Sequence, residues 1–244
     1  MKRRDFVKNT LGAITASYIP FSRALDIPSE IPCMSRTGQI MSLKRGDVAD
    51  LAKSLQRKLL LKSTPHYHQE RMLWNGLADH TLPALIAQCI DSDDVINAVN
   101  FARTHDLLVT VRGGGHGISG KAIANDALLI DLSKMSNLSA NPLTMVATAQ
   151  AGVLLRELDV GTQAHGMAVP AGVVSHTGIA GLTLGGGIGI NMRKMGLTSD
   201  NLLSVQIVTA DGKLRTASDS ENTDLFWAVR GGGGNFFEDD GLVQ

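Results

Sequence analysis

Apolar residues recur along this chain at two periods, and the switches between them mark the elements. Val48, Leu51, Leu55 and Leu59 repeat at helical spacing with Lys and Arg between them, predicting an amphipathic helix capped by Asp47. The run ALIAQC (84–89) reads as a short apolar strand. Asp91 or Ser92 then caps a helix whose inner face carries Val95, Ile96, Val99, Phe101 and Ala102. LLVTV (107–111), ALLIDL (127–132) and TMVATAQ (144–150) read as strands. Gly152 opens a helix on which Leu154, Leu155 and Leu158 share a face. NLLSVQIVTADGKLRTAS (201–218) reads as a hairpin, two alternating runs joined by Asp211-Gly212, the dipeptide that a primed turn prefers. A short helix starts at Asn222, Thr223 or Asp224 and runs through DLFWAVRG. Residues 25–46, rich in Pro, Ser and Gly, read as linker. The pattern predicts an α+β fold with a mixed sheet rather than a run of βαβ units.

Composition changes this picture in a few places. The chain holds 26 glycines, most of them clustered after residue 110, which signals special backbone conformations or close approach to something. Aromatics make up only 4%, too few for a surface that stacks single-stranded nucleic acid. Residues 1–62 hold 12 Lys/Arg and 5 Asp/Glu, whereas residues 63–244 hold 11 and 18. The globular part is therefore mildly acidic, and no nucleic-acid partner is expected. Two cysteines make no disulfide framework. Cys89 reads as core and Cys33 as a linker residue, with a single bridge between them left open. His66 and His68 form H-x-H, but two ligands are too few for a closed metal site, and no metal is expected.

The N-terminus reads MKRRDFVKNTLGAITASYIPFSRALD. Arg3-Arg4 with Phe6 and Lys8 resembles the twin-arginine export motif, an apolar stretch runs from Leu11 to Phe21, and Ser22-Arg23-Ala24 offers small residues for cleavage. The expectation is a signal over 1–24 and export to the periplasm or beyond by a route that carries proteins already folded around a cofactor. The alternative is a basic N-terminus on a cytoplasmic protein. The apolar stretch is too short and too polar for a permanent membrane span.

The stretch VRGGGHGISGKA (111–122) fits two phosphate-binding patterns at once. Gly115, Gly117 and Gly120 spell the dinucleotide fingerprint, and Gly115 to Lys121 spell most of a P-loop. Both motifs need a helix directly after the glycines, whose N-terminus meets the phosphate. Here only Lys121 to Asp126 separate the loop from the next strand, and Ala122 stands where a P-loop needs Ser or Thr. A nucleoside triphosphatase is thereby disfavoured. The unit is strand, glycine loop, strand, and such a loop either cradles an anion on successive N–H groups or is a plain glycine-rich hairpin.

Three further segments decide between these. RMLWNGLADHTLPALI (71–86), GVVSHTGIAGLTLGGGIGINMRKMGLTSDNLLSVQIVTADG (172–212) and ENTDLFWAVRGGGGNF (221–236), together with VRGGGHGISG, resemble the PCMH-type FAD-binding domain of the vanillyl-alcohol oxidase superfamily. Within it the chain looks like the berberine-bridge-enzyme-like oxidases, a branch that includes 6-hydroxynicotine oxidase. The resemblance runs from about Tyr67 to Phe236 and implies a fold of two α/β subdomains with mixed sheets. It implies that Arg112, Gly113, Gly114, Gly115, His116 and Gly117 surround the FAD pyrophosphate, with Ser119 and Gly120 completing the cradle. It implies that His116 joins FAD covalently through the 8-methyl carbon of the flavin. It also implies a second wall for FAD from Val174, Thr177, Gly178, Gly181, Gly185, Gly186 and Gly187. Some members form a second bond from a Cys, and Val174 stands at that position, so no second link is expected. His176 either faces the flavin edge or serves its own loop. Asp131 is expected to tie loops together near the cofactor, and Arg71, Trp74 and Asn75 match the family as structural residues.

The sequence departs from that pattern after GGGGNF, where relatives continue into a substrate domain and this chain reads FEDDGLVQ (237–244), a tail without strand pattern. The expectation is a linker and helix over 25–66, an FAD-binding domain over 67–236, a non-family tail, and a missing substrate domain. The function implied is an FAD-dependent oxidoreductase that takes a hydride from an alcohol, amine or sugar carbon and passes it through flavin to oxygen. The catalytic base belongs to the absent half, so no catalytic residue is assigned. A small-molecule substrate is a partner only if a substrate domain is supplied. The alternative is an inactive remnant, or a half that needs a partner chain.

Overall fold

The segment that reads as linker is a hairpin. In the computed structural model, which describes residues 25–233 and 241–243, Glu30–Met34 (β1) and Ile40–Lys44 (β2) pair antiparallel. Its composition misleads because Pro32 lies in a two-stranded ribbon, where its missing N–H is tolerated, and Gly38 supplies the left-handed turn (φ +78°). Cys33 is accordingly buried rather than a linker residue, and Ile31 and Leu43 share the core with it. Both cysteines are free, and burial pushes each thiol up from its ordinary value. The proposed export signal lies outside the described residues.

Arg45–Ser54 (α1) buries Val48 and Leu51 but ends before Leu59. Lys44 holds the N-cap position, and Asp47 sits in the first turn, where a carboxylate complements the helix dipole. Leu59 belongs instead to Lys58–Leu61 (β3), whose three consecutive leucines are all buried. Tyr67–Glu70 (α2) follows. The Tyr67 hydroxyl donates to the Pro83 carbonyl at 2.5 Å, and burial pushes its pKa up to about 12.

Leu85–Gln88 (β4), Val109–Arg112 (β5) and Leu128–Asp131 (β6) complete a sheet of order β3-β4-β6-β5. β3 is antiparallel to β4, while β6 runs parallel to both β4 and β5. Every residue of β4 and β6 is buried, as expected of strands covered on both faces. Leu85, Ala87, Leu128 and Ile130 face the main core; Ile86 and Leu129 face Leu60 and Tyr67 on the other side. Ser92–Thr104 (α3) crosses from β4 to β5, and the Asp91 side chain caps it by accepting from the Asp94 N–H.

Beyond this sheet, Leu138–Asn141 (β7) and Val146–Ala149 (β8) form a hairpin of which only the second strand is visible in the hydrophobic pattern. Leu155–Gln163 (α4) packs beside it through Leu155 and Leu158. This helix starts after Gly152, not at it. Ile179–Leu184 (α5) and Met192–Met195 (α6) precede the hairpin of Ser204–Thr209 (β9) and Leu214–Ser218 (β10). The turn between them differs from the primed type expected. The Thr209 N–H donates to Lys213 O and the Gly212 N–H to Thr209 O, and of the turn residues only Gly212 has positive φ (+74°). That is a three-residue loop closed by a left-handed glycine. Thr223–Val229 (α7) covers the hairpin with Phe226 and Val229 against Ile207 and Ala217. Gly241–Val243 (β11) adds to the free edge of β9, so the tail does contribute a strand. The two regions meet where Val208 enters the main core and Gly212 packs on Asn100 of α3.

Candidate cofactor-binding site

The site grows from the carboxyl ends of the parallel strands, where open α/β sheets commonly bind ligands. Arg112 ends β5 and Asp131 ends β6, directly opposite in register. Their side chains form a buried ion pair: Arg112 Nη2 lies 2.6 Å from Asp131 Oδ2, and Nε donates to Oδ1 at 3.1 Å. Asp131 also accepts from the Ser133 N–H, and the remaining arm of Arg112 donates to the Met72 carbonyl. Burial of an unpaired charge is costly, so this complete set of partners fixes both strand ends. Asp131 thus ties loops together as expected. The Arg112 guanidinium is occupied by Asp131 and Met72, so any part it has toward a ligand falls to its backbone.

Residues 113–127 connect β5 to β6 without a helix, as the spacing of the glycines requires. Because these strands are parallel, the connection is no hairpin; it travels back along the sheet. Its first glycines are packing residues. A Cβ on Gly113 would lie 2.7 Å from the Ala151 carbonyl oxygen, and one on Gly114 would lie 2.4 Å from the Gly178 backbone. Two loops from separate parts of the chain therefore touch backbone to backbone. Gly115 takes a left-handed conformation (φ +65°), whereas Gly117 borders open space. Gly117 and Ser119 are exposed, and Gly120 turns the chain at φ +70°.

His116 stands at the crest of this loop. Its imidazole stacks on Trp74, with centroids 4.3 Å apart and planes 16° from parallel. His176 approaches the same ring at 4.9 Å. His116 Nε2 is buried and has no hydrogen-bond partner. Beside these rings lies a cleft of about 490 Å³, lined among others by Glu70, Trp74, Gly113–Gly115, Ser133, Glu157 and His176. Its two carboxylates are already engaged. Glu70 accepts from Gln88 and lies 3.3 Å from Lys134 Nζ, and Glu157 accepts from the Leu154 N–H. His116 does not itself line the cleft, but Trp74 and His176, the two rings against it, do, and a buried ring nitrogen without a partner next to them fits a group that His116 could hold. The glycine backbone offers an anion N–H groups with no side chain in the way.

The second set of predicted residues divides. Gly178 is buried on Gly114, the Thr177 carbonyl accepts from the Leu155 N–H, and Val174 is 40% exposed in the same loop. Gly181 and Gly185 are exposed, and neither lines the cleft. Gly186 and Gly187 are buried with positive φ, and a Cβ on Gly187 would strike Thr198. They shape their own loop. Of the cleft's other walls, Trp74 is visible in the sequence but reads as structural, while Glu70, Ser133, Ser136 and Glu157 carry no motif. His68 takes a hydrogen bond from Arg71 and joins no group of three or more metal-binding side chains among the described residues. Among these residues no helix is long and apolar enough to cross a membrane.

Comparison with known proteins fits this geometry. Residues 83–218 match the model of a family described as FAD binding domain. The chain belongs to this family of FAD-binding domains. It is 34% identical over 183 residues to (R)-6-hydroxynicotine oxidase of Paenarthrobacter nicotinovorans, an alignment covering 75% of this chain and 40% of that protein. It is 37% identical over 198 residues to the FAD-linked oxidoreductase pgmH of Aspergillus terreus, covering 80% and 40%. Among solved structures it resembles 6-hydroxy-D-nicotine oxidase of Arthrobacter nicotinovorans, with a TM-score of 0.73, 33% identity, and 78% and 42% of the two chains covered. It also resembles Phl p 4, a grass pollen allergen with glucose dehydrogenase activity, with a TM-score of 0.75, 31% identity, and 81% and 42% covered. The chain therefore spans about 40% of the length of the curated relatives it matches.

Proposed function

We propose that this chain is the FAD-binding half of an oxidase-type oxidoreductase acting on an alcohol, amine or sugar carbon. The observation that carries this reading is His116: a buried, unpartnered Nε2 on a glycine loop, beside a cleft with glycine walls. FAD, when bound, supplies the two-electron acceptor that takes a hydride and returns the electrons to oxygen. The chain's own residues hold and orient it. Backbone N–H groups of Gly113–Gly117 and Ser119 would cradle the pyrophosphate, while Gly120, whose N–H donates to the Gly117 carbonyl, turns the chain. His116 would hold the flavin by a single link in which a ring nitrogen replaces one hydrogen of the 8-methyl group, the proton leaving to solvent and the electron pair passing to oxygen. Val174 offers no thiol for a second one.

The test is to express the chain with flavin available, record its visible spectrum, and precipitate it with acid. Yellow protein whose flavin stays in the pellet, and is lost to the supernatant in His116→Ala, supports the reading; colourless protein overturns it. A second reading is that the chain holds FAD and turns over only with a partner chain. Oxygen uptake by the lone chain with a panel of alcohols, amines and sugars would rule that reading out. We further infer export by the twin-arginine route. Cell fractionation checks this, with the Arg3→Lys/Arg4→Lys double variant expected to stay inside.

A further inference from the structure

The glycine loop does not hold its own shape. Only Gly120 and Ile123 donate backbone hydrogen bonds back within it, to Gly117 and Gly120. Its crest is held from outside by one segment, Met72–Asn75. The Met72 carbonyl accepts from Arg112 at the root of the loop. The Trp74 N–H donates to the Gly115 carbonyl at 3.1 Å. The Asn75 amide donates to the Ile118 carbonyl at 2.8 Å. Leu73 lies within contact of Gly115, and it is itself anchored in a small core with Ala78 and Ile123. Four consecutive residues thus touch the loop on both sides of His116.

The Trp74 side chain has no such anchor. It is 56% exposed. Among the described residues its one aromatic contact is the face of His116. Stacking removes the freedom of the imidazole to swing out to solvent. With Trp74 stacked on the ring face, Nε2 at the ring edge remains without a partner, and both rings that contact His116 line the cleft. Attachment to a bound group requires that edge to be held in one geometry.

We propose that Met72–Asn75 is the mould of the glycine loop and that Trp74 is the positioning residue for His116. Trp74 sets the imidazole plane before any cofactor arrives, and it does so from a strand-free segment about forty residues upstream. His176, from the second loop, also contacts the His116 ring, with the planes tilted by 40°. The inference deepens the proposed function and rests on the link between His116 and flavin.

The test uses the full chain with Trp74→Ala and Trp74→Phe. In flavin-free protein, the ring protons of His116, assigned by His116→Ala, should be shifted upfield by the indole face. That shift should vanish in Trp74→Ala and partly persist in Trp74→Phe. The rate at which added FAD becomes acid-stable should fall on the order of 100-fold in Trp74→Ala, because misplacement of a reacting group costs about that much. Total flavin bound should change far less, and Trp74→Phe should recover most of the rate. A wild-type His116 without a ring-current shift overturns the proposal, as does a Trp74→Ala variant that links flavin at the wild-type rate. If wild-type protein shows the shift but never links flavin, the covalent reading fails and the positioning of the ring stands.

Discussion

At the scale of residues, the site depends on one buried ion pair. Arg112 and Asp131 are the last residues of adjacent parallel strands, and their side chains are 7% and 0% exposed. Asp131→Ala would strand a buried guanidinium with only the Met72 carbonyl as partner. Such a loss costs about 3–5 kcal/mol, and a lowered denaturation midpoint at unchanged slope is the expected result. Flavin retention should fall with it, since both strand ends lead into the cleft. His116 and the glycines around it are visible in the sequence because they are contiguous. Trp74 and His176 are not readable as its companions, because only the fold brings residues so far apart in sequence onto one ring.

At the scale of elements, the joint between the two loops is the sensitive point. Gly114 and Gly178 approach so closely that neither has room for a methyl group. Gly114→Ala is expected to cost about 1–3 kcal/mol through overpacking and to open the cleft, read as a lower melting temperature and loss of bound flavin. Gly117→Ala, three positions on, meets nothing within 4 Å and should leave the melting temperature near wild type. The sequence pattern identifies α3 and strands β4, β5, β6, β9 and β10, because their apolar runs are long or cleanly alternating. It hides the β1–β2 ribbon behind Pro and Gly that serve an edge and a turn. It also extends α1 into Leu59, since a leucine run that builds a buried strand happens to continue the helical spacing. The parallel pairing of β5 and β6 depends on the helix-free return of residues 113–127 along the sheet, which no local pattern reports.

At the scale of the molecule, one surface stands out. Val173, Ile188 and Ile190 are 71%, 68% and 83% exposed. Their segments lie side by side, because Gly189 packs against the Ala171 backbone. Exposed apolar side chains grouped in this way drive association. The isolated chain should therefore elute from a sizing column at a volume that depends on concentration. An Ile188→Ser/Ile190→Ser variant should elute as a smaller species with an unchanged melting temperature, since neither side chain contributes to the core. The same elution in both would show that this surface does not associate. The family is readable from the glycine-rich segments and the motifs around them. The surface is not, since exposure depends on what the folded chain leaves uncovered.

The most direct measurement is peptide mapping of the purified, flavin-exposed chain. Trypsin cleaves after Arg112 and Lys121, releasing GGGHGISGK with His116 as its one imidazole. The account predicts that this peptide alone carries flavin fluorescence and the added mass of the cofactor, and that it does neither in His116→Ala. Flavin absent from it in protein that is fully yellow would contradict the covalent role of His116. Flavin on any other peptide would contradict the placement of the site.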